Sequence, residues 1–387
     1  MNATMKILHT ADWHLGKIVH GLHMTEDQGK VLQHLIEIIE AEKPDVIIIA
    51  GDLYDRAVPP REAVELLNSF FTTVSVEMEI PIVAISGNHD SPDRLGFGAS
   101  LFRSKQLYLA TSIEDVFQPI HFNEGEHDVY FHLVPYIEPE QVKYYFQDDS
   151  IETHQQAMER IVREIEVQMT DQAQHILVGH AFIAGGMESE SEERLTMIGG
   201  TPYIDASIFK SFDYIALGHL HQPQKIKNDF IRYSGSIMKY SFSEANHKKS
   251  VAILELDGTE KTVYTIPLNA PKDLRIVEGY FEELLAEKVV KATEDYLQIR
   301  LLDDGQIIDP VTKLRKLFPN ILRLERKQHV VHQSLKEIQS IKEKQKMTHE
   351  QLFASFYKEI KGSELSAERA KYVQDVIQKV MVEEREK

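Results

Sequence analysis

Ile7-Leu8-His9-Thr10-Ala11-Asp12-Trp13-His14-Leu15-Gly16 joins a short apolar run to an Asp-x-His triplet and a glycine. A run of this kind reads as a buried strand, and an acid and an imidazole directly after it put two metal-ligand types at the strand's carboxyl end. The same phrase recurs along the chain. Val46-Ile47-Ile48-Ile49 precedes Gly51-Asp52, Ile82-Val83-Ala84-Ile85 precedes Gly87-Asn88-His89-Asp90, Ile176-Leu177-Val178 precedes Gly179-His180, and Tyr214-Ile215-Ala216-Leu217 precedes Gly218-His219-Leu220-His221. One such block is more often a turn with a satisfied polar side chain. Five in the same order point to one site at an edge of α/β sheets. Carboxylates, imidazoles and one amide oxygen in these numbers suit two divalent ions with a shared ligand, the equipment of phosphoester hydrolysis.

Working outward, Thr25-Glu26-Asp27-Gln28 has capping-box form ahead of Leu32, Leu35, Ile36 and Ile39, which have amphipathic helix spacing. With the strand runs on either side this makes a β-α-β unit. Alternation continues to about residue 220, after which strands dominate at 231–233, 251–256 and 263–266. Beyond Pro271 the pattern predicts a β-α-β-α-β module: strands near 276, 297–302 and 321–325, helices over 280–288 and 310–318. Thr348-His349-Glu350-Gln351 is a second capping box before Leu352, Phe353, Phe356, Tyr357 and Ile360, with Gly362 as a stop. Two short helices there bury little by themselves, so their apolar faces need another surface.

Composition narrows the options. The 387 residues include no cysteine, which excludes disulfides and thiolate metal sites, and 42% hydrophobic content fits an ordinary globular chain. No run approaches the roughly 20 apolar residues of a membrane span, and the first residues lack a long apolar segment, so the expected location is cytoplasmic, with no membrane partner. The net charge of −18 argues against a free-standing DNA binder held by electrostatics.

The five blocks resemble those of the calcineurin-like metallophosphoesterases. Residues 7–16, Gly51-Asp52-Leu53-Tyr54-Asp55 and Gly218-His219-Leu220-His221 are most similar to the SbcD branch, the double-strand-break repair nucleases that work beside an SbcC-type ATPase subunit. The resemblance implies an α/β sandwich of two mixed sheets flanked by helices over 1–272, a small α+β capping domain over 273–330, and a helical ATPase-binding segment over 331–387. It implies one metal held by Asp12, His14, Asp52 and His221 and a second by Asp52, Asn88, His180 and His219, with Asp52 bridging. Mixed carboxylate and imidazole ligands favour Mn²⁺, with Mg²⁺ also possible. His89 would stabilise the transition state or protonate the leaving oxygen, and Asp90 would orient it or cap the helix before Pro92. Asp55 and Arg56 would face DNA, hydrogen-bond a ligand, or lie in a surface loop.

The activity implied is metal-dependent DNA hydrolysis, endonucleolytic and as a 3′–5′ double-strand exonuclease, in end processing, hairpin cleavage, recombination and repair. A small-molecule or cyclic-nucleotide phosphodiesterase is the alternative, and a homodimer within a heterotetramer is the implied assembly. Arg232, Tyr233 and Ser234 would touch the DNA backbone. Lys313, Arg315, Lys316, Arg323, Arg326 and Lys327 concentrate positive charge that could do the same. Residues 185–193, rich in Gly, Ser and Glu, read as a surface loop, with Arg194 a possible DNA contact. His9 stands beside a ligand block but points the wrong way along its strand, and is not counted as a ligand.

Overall fold

A computed structural model describes residues 4–124, 127–192, 203–258, 260–305 and 307–326, with isolated positions between 351 and 377. Two six-stranded sheets carry the fold. The first contains β1 (Met5–Thr10), β4 (Val46–Ala50), β5 (Ile82–Ile85), β6 (Leu107–Ala110), β13 (Ser250–Asp257) and β14 (Glu260–Pro267), in the order β14-β13-β1-β4-β5-β6. The second contains β7 (Ile120–Glu124), β8 (His127–Val134), β9 (Gln174–His180), β10 (Tyr214–Gly218), β11 (Gln224–Lys225) and β12 (Ile231–Tyr233), in the order β11-β12-β10-β9-β8-β7. The first sheet is parallel from β1 to its β6 edge and antiparallel on the β13–β14 side, and the second is parallel at its centre with antiparallel pairs at both edges, so both sheets are mixed, as expected. The hairpin of β2 (Ile18–Val19) and β3 (Leu22–His23) follows the first ligand block.

Period-two alternation explains why the central strands are apolar throughout. Ile7, Val46, Ile48, Val83 and Ala50 face the second sheet, where Phe131, Ile176, Val178 and Tyr214 meet them. Their neighbours Leu8, Ile47, Ile49 and Ala84 face outward under helix α1 (Thr25–Glu42) and the helix Arg61–Phe71. On the far side the helix His154–Gln168 covers the second sheet with Met158, Ile161, Val162 and Ile165. Strands buried on both faces must be apolar at every position.

The capping box expected at Thr25 does not form. The N-cap is Met24 and makes no side-chain cap, because Gln28 turns inward instead. The β-α-β-α-β module is present, with shorter helices: β15 (Leu274–Gly279), a helix Phe281–Leu285, β16 (Tyr296–Leu301), a helix Pro310–Leu314 and β17 (Ile321–Arg326) form a parallel three-stranded sheet with its own core. Of the basic residues there, Arg323 pairs with Glu325, while Lys313, Arg315 and Lys316 are exposed. Lys327, Arg194, the box at 348–351 except Gln351, and Leu352, Phe356, Ile360 and Gly362 lie outside the described residues. Met1–Arg326 is one compact unit and Lys327–Lys387 another. Among the described residues no helix is long and apolar enough to cross a membrane.

Candidate metal centre

All five blocks meet at the carboxyl ends of β1, β4, β5, β9 and β10. The loop after β1 lies along the loop after β4 through Asp12 N–H to the Gly51 carbonyl (3.1 Å), His14 N–H to the Asp52 carbonyl (2.9 Å) and Leu15 N–H to the Leu53 carbonyl (2.9 Å). Asp12, His14 and Asp52 have φ of 52°, 46° and 51°, and His219 has 103°. Left-handed backbone at four non-glycine residues of one site is strain that the surrounding packing must hold. Glycines make room for this. A Cβ on Gly218 would stand 1.8 Å from the Ala50 carbonyl oxygen, and one on Gly87 would stand 2.1 Å from Asp52 Oδ1.

Asp12, His14, Asp52, His180, His219 and His221 are all buried, whereas Asn88 and His89 are half-exposed at the mouth. Asp52 Oδ2 stands 3.5 Å from His14 Nε2 and 3.4 Å from His180 Nε2, while its Oδ1 accepts the His89 N–H at 2.9 Å. On one side of it, His14 Nε2 and His221 Nε2 face each other at 3.0 Å. On the other, Asn88 Oδ1 lies 3.0 Å from His180 Nε2 and 3.3 Å from His219 Nδ1.

These atoms fit a cation better than they fit one another. His180 Nδ1 must donate to the Ala50 carbonyl (2.9 Å), so a neutral ring leaves a lone pair on Nε2, aimed at the amide oxygen of Asn88. His221 repeats the pattern, with Nδ1 3.4 Å from Glu244 Oε1 and 2.8 Å from Ser191 Oγ, and Nε2 aimed at His14. Asp12 Oδ2 and His14 Nδ1 are buried with no hydrogen-bond partner. Asp12, His14 and Asp52 hold ligand atoms within 4.8 Å of one another. Converging lone pairs and orphaned buried acceptors are what divalent ions satisfy.

Charge in the cluster is strongly perturbed. Burial pushes Asp12 up to about 7 against the pull of His180 and His221, and burial drives His219 down to about 3. Burial also works against charge on His180, but the Asp52 and Asp12 carboxylates outweigh it and carry that imidazole up to about 9. Two carboxylates and four imidazoles in so little water repel and desolvate one another unless cations are shared among them.

His89 is held through Nδ1, which donates to the Asp55 carbonyl at 2.9 Å, with its ring 4.7 Å from that of His14. The Asp55 carboxylate is taken by Lys17 at 2.7 Å and lies 3.7 Å from His14 Nδ1, so Asp55 supports ligand-bearing loops. Asp90 departs from expectation. Its carboxylate accepts the N–H groups of Leu53, Tyr54 and Gly87 at 3.1, 2.9 and 2.9 Å, and the N-cap before Pro92 is Ser91. Asp90 thus ties the second loop to the third, and a main-chain carbonyl, that of Asp55, holds Nδ1 of the His89 ring.

The expected DNA contacts also need correction. Tyr233 is buried, its hydroxyl donating to the Ala181 carbonyl and accepting from Ile183 N–H, both at 2.8 Å, and Ser234 is buried as well. Tyr233 is on the inward side of β12, which packs on the loop after His180, Ser234 follows the strand's end, and of the three only Arg232 is half-exposed. The loop at 185–192 is more than a solvated connection. Glu192 Oε1 accepts the His221 N–H at 2.7 Å, and Ser191 touches the His221 ring. Glu193 lies outside the described residues.

Sequence reading missed Glu244, Lys249, Gln28 and Tyr240. Glu244 is fully buried against His221 and pairs with Lys249, whose ammonium also donates to the His221 carbonyl at 2.7 Å. A lone Glu or Lys in a strand-rich stretch carries no signal of such a role. His9 bridges the sheets, with Nδ1 3.0 Å from the Tyr214 hydroxyl and Nε2 3.2 Å from the Leu217 carbonyl, and holds no place among the ligands.

Residues 5–223 match the calcineurin-like phosphoesterase family model, and residues 270–361 match the SbcD_C model, described as the type 5 capsule protein repressor C-terminal domain. The chain is 37% identical over 380 residues to the SbcD component of the nuclease SbcCD from Staphylococcus saprophyticus, covering 98% of this chain and 99% of that protein. It is 39% identical over 364 residues to the corresponding protein of Staphylococcus epidermidis, covering 94% of this chain and 95% of that one. A dimetal phosphatase from Danio rerio aligns over 69% of this chain and 99% of its own, at 12% identity and a TM-score of 0.43.

Proposed function

The chain belongs to the calcineurin-like phosphoesterase family, in its SbcD branch, and from that premise we propose that it is a two-metal DNA nuclease that works with an SbcC-type ATPase. The observation that carries the site assignment is Asp52 Oδ2, set between the Nε2 atoms of His14 and His180 at 3.5 and 3.4 Å. Asp12, His14, Asp52 and His221 would hold one ion, and Asp52, Asn88, His180 and His219 the other. When bound, the pair would supply Lewis-acid polarisation of the phosphoryl group and a nucleophile at neutral pH. Mn²⁺ is our choice on ligand type, with Mg²⁺ the second.

The chain's own residues prepare that chemistry. The Ala50 carbonyl and Glu244 each take one ring N–H, of His180 and His221, leaving the opposite nitrogen as donor to metal. Asp52 uses one oxygen for the His89 N–H, and its other would be free to hold metal. Because the Asp55 carbonyl takes Nδ1–H of His89, Nε2 is the ring atom that can carry a proton towards the departing sugar oxygen or face the phosphate. We assign endonuclease and 3′–5′ exonuclease activity to this one centre.

A net charge of −18 favours grip on duplex DNA through a partner or a dimer rather than by the chain alone. The division into 1–272, 273–330 and 331–387 assigns that partner to the last segment, and we take the protein to act as a homodimer in the cytoplasm. Arg232, Lys313, Arg315 and Lys316 are the exposed or half-exposed cations offered to phosphates.

The test is Mn²⁺-dependent cleavage of single-stranded and hairpin DNA by the purified chain, alongside a small phosphodiester and the His89→Ala variant. DNA cleavage should fall about 10²- to 10⁴-fold in the variant with Mn²⁺ affinity kept. Hydrolysis of the small ester alone would move the assignment to a small-molecule phosphodiesterase.

A further inference from the structure

Residues 187–192 form a strap along the last ligand block, fastened to the chain that follows it. The Gln224 side-chain amide receives the Met187 N–H at 2.8 Å and donates to the Met187 carbonyl at 3.0 Å. Further on, the Glu190 N–H donates to the Ser243 hydroxyl at 3.0 Å, next to Glu244.

The next two residues both reach His221. Glu192 Oε1 accepts the His221 N–H at 2.7 Å, and the Ser189 hydroxyl lies 2.8 Å from each oxygen of the same carboxylate. Ser191 Oγ stands 2.5 Å from Glu244 Oε1 and 2.8 Å from His221 Nδ1. A hydroxyl has one hydrogen, and an ionised carboxylate only accepts. Lys249 pairs with Glu244 and favours its charged form, so the Ser191 hydrogen is spent on Glu244. What Ser191 has left for the imidazole is a lone pair, and Nδ1 must be the donor. Glu244 Oε1 is itself 3.4 Å from Nδ1, which makes the hydroxyl the nearer acceptor. A neutral His221 ring then has its lone pair on Nε2, the nitrogen that faces His14 Nε2 at 3.0 Å.

We infer that Ser191 is a positioning residue for the ion assigned to Asp12, His14, Asp52 and His221. It relays the Glu244 carboxylate to His221 Nδ1 and so directs Nε2 to the metal, while Glu192 holds the His221 main chain. The inference deepens the two-metal reading and rests on it. His180 has a separate support in the Ala50 carbonyl, so loss of the relay should touch one ion of the pair and spare the other.

Titration of the metal-free full chain with Mn²⁺ alone decides it, the free ion being counted by its electron paramagnetic resonance signal and melting temperature being measured alongside. The parent should bind two ions per chain. Ser191→Ala should hold one as the parent does and bind the other about 10- to 100-fold more weakly, the usual cost of removing a hydrogen-bond partner behind a metal-ligating histidine. Ser191→Thr keeps the hydroxyl and should restore parent affinity. Ser191 is half-exposed, so both variants should melt with the parent. Two ions held by Ser191→Ala as tightly as by the parent, or both weakened alike with a fall in melting temperature, would overturn the relay. So would a loss in Ser191→Thr equal to that in Ser191→Ala. A parent that binds fewer than two ions would instead sink the two-metal reading, and the inference with it.

Discussion

Gln28 Nε2 donates to the main-chain carbonyl of His14 at 2.8 Å, so a side chain of α1 holds the loop that carries the first ligand block. The same amide reaches the Trp13 carbonyl and the Tyr240 hydroxyl, and its oxygen takes the Gly16 N–H at 3.0 Å. Its neighbour Asp27 accepts the Tyr296 hydroxyl of the small sheet at 2.6 Å. Adjacent residues of one helix therefore fasten both the His14 turn, where φ is 46°, and the small sheet.

Gln28→Ala should cost about 1–3 kcal/mol of stability, because it strands the Gly16 N–H and the His14 carbonyl in a buried place, while the Trp13 carbonyl keeps the Tyr240 hydroxyl. Gln28→Glu should be worse for metal binding, since it sets a carboxylate against the Trp13 and His14 carbonyls that now receive N–H groups. Urea unfolding and Mn²⁺ titration of the two variants check this. Equal metal affinity in Gln28→Glu and the parent would refute a positioning role.

His9 predicts a pH dependence. Burial drives its folded-state pKa down to about 3, so between that value and the ordinary 6.5 the unfolded chain binds the extra proton and stability rises with pH. His9→Gln removes this contribution. The stability gap between parent and variant should therefore narrow by about 2 kcal/mol on going from pH 7 to pH 5. Denaturant titrations at the two pH values measure it, and a constant gap would show that His9 is not neutral in the fold.

Phe97 and Leu101 predict an association surface. They are 83% and 74% exposed and flank Gly98 in the short helical region after the third ligand block, beside Phe102. Large exposed apolar groups gathered in one place mark a contact site. The homodimer proposed above should dissociate in a Phe97→Glu, Leu101→Glu double variant, read as a shift to monomer in sedimentation velocity, while its melting temperature stays near the parent's. An unchanged oligomeric state would move the dimer surface elsewhere.

Much of the site was legible along the chain because each ligand block directly follows its own strand, and a strand's carboxyl end is a local property. The metal-ligand types, their order, the α/β class and the parallel small module all come from such local signals. Asp90 shows the limit: Gly87-Asn88-His89-Asp90 places it beside His89, yet its carboxylate spans to Leu53 and Tyr54. Thr25 shows another, since its box needed the Gln28 side chain that the His14 loop claims. Tyr233 was readable as a surface aromatic until the packing of β12 against the Ala181 loop buried it.

Sequence by itself therefore determined which residue types stand at which strand ends, because β-strand periodicity and turn chemistry act over a few neighbours. Tertiary structure alone decided which atoms face one another. It brought Asp52 between His14 and His180, set Glu244 and Lys249 behind His221, and turned Asp90 and Tyr233 inward. Those contacts join residues tens to hundreds of positions apart, and only the stacking of two sheets, with buried polar groups obliged to find partners, selects among them.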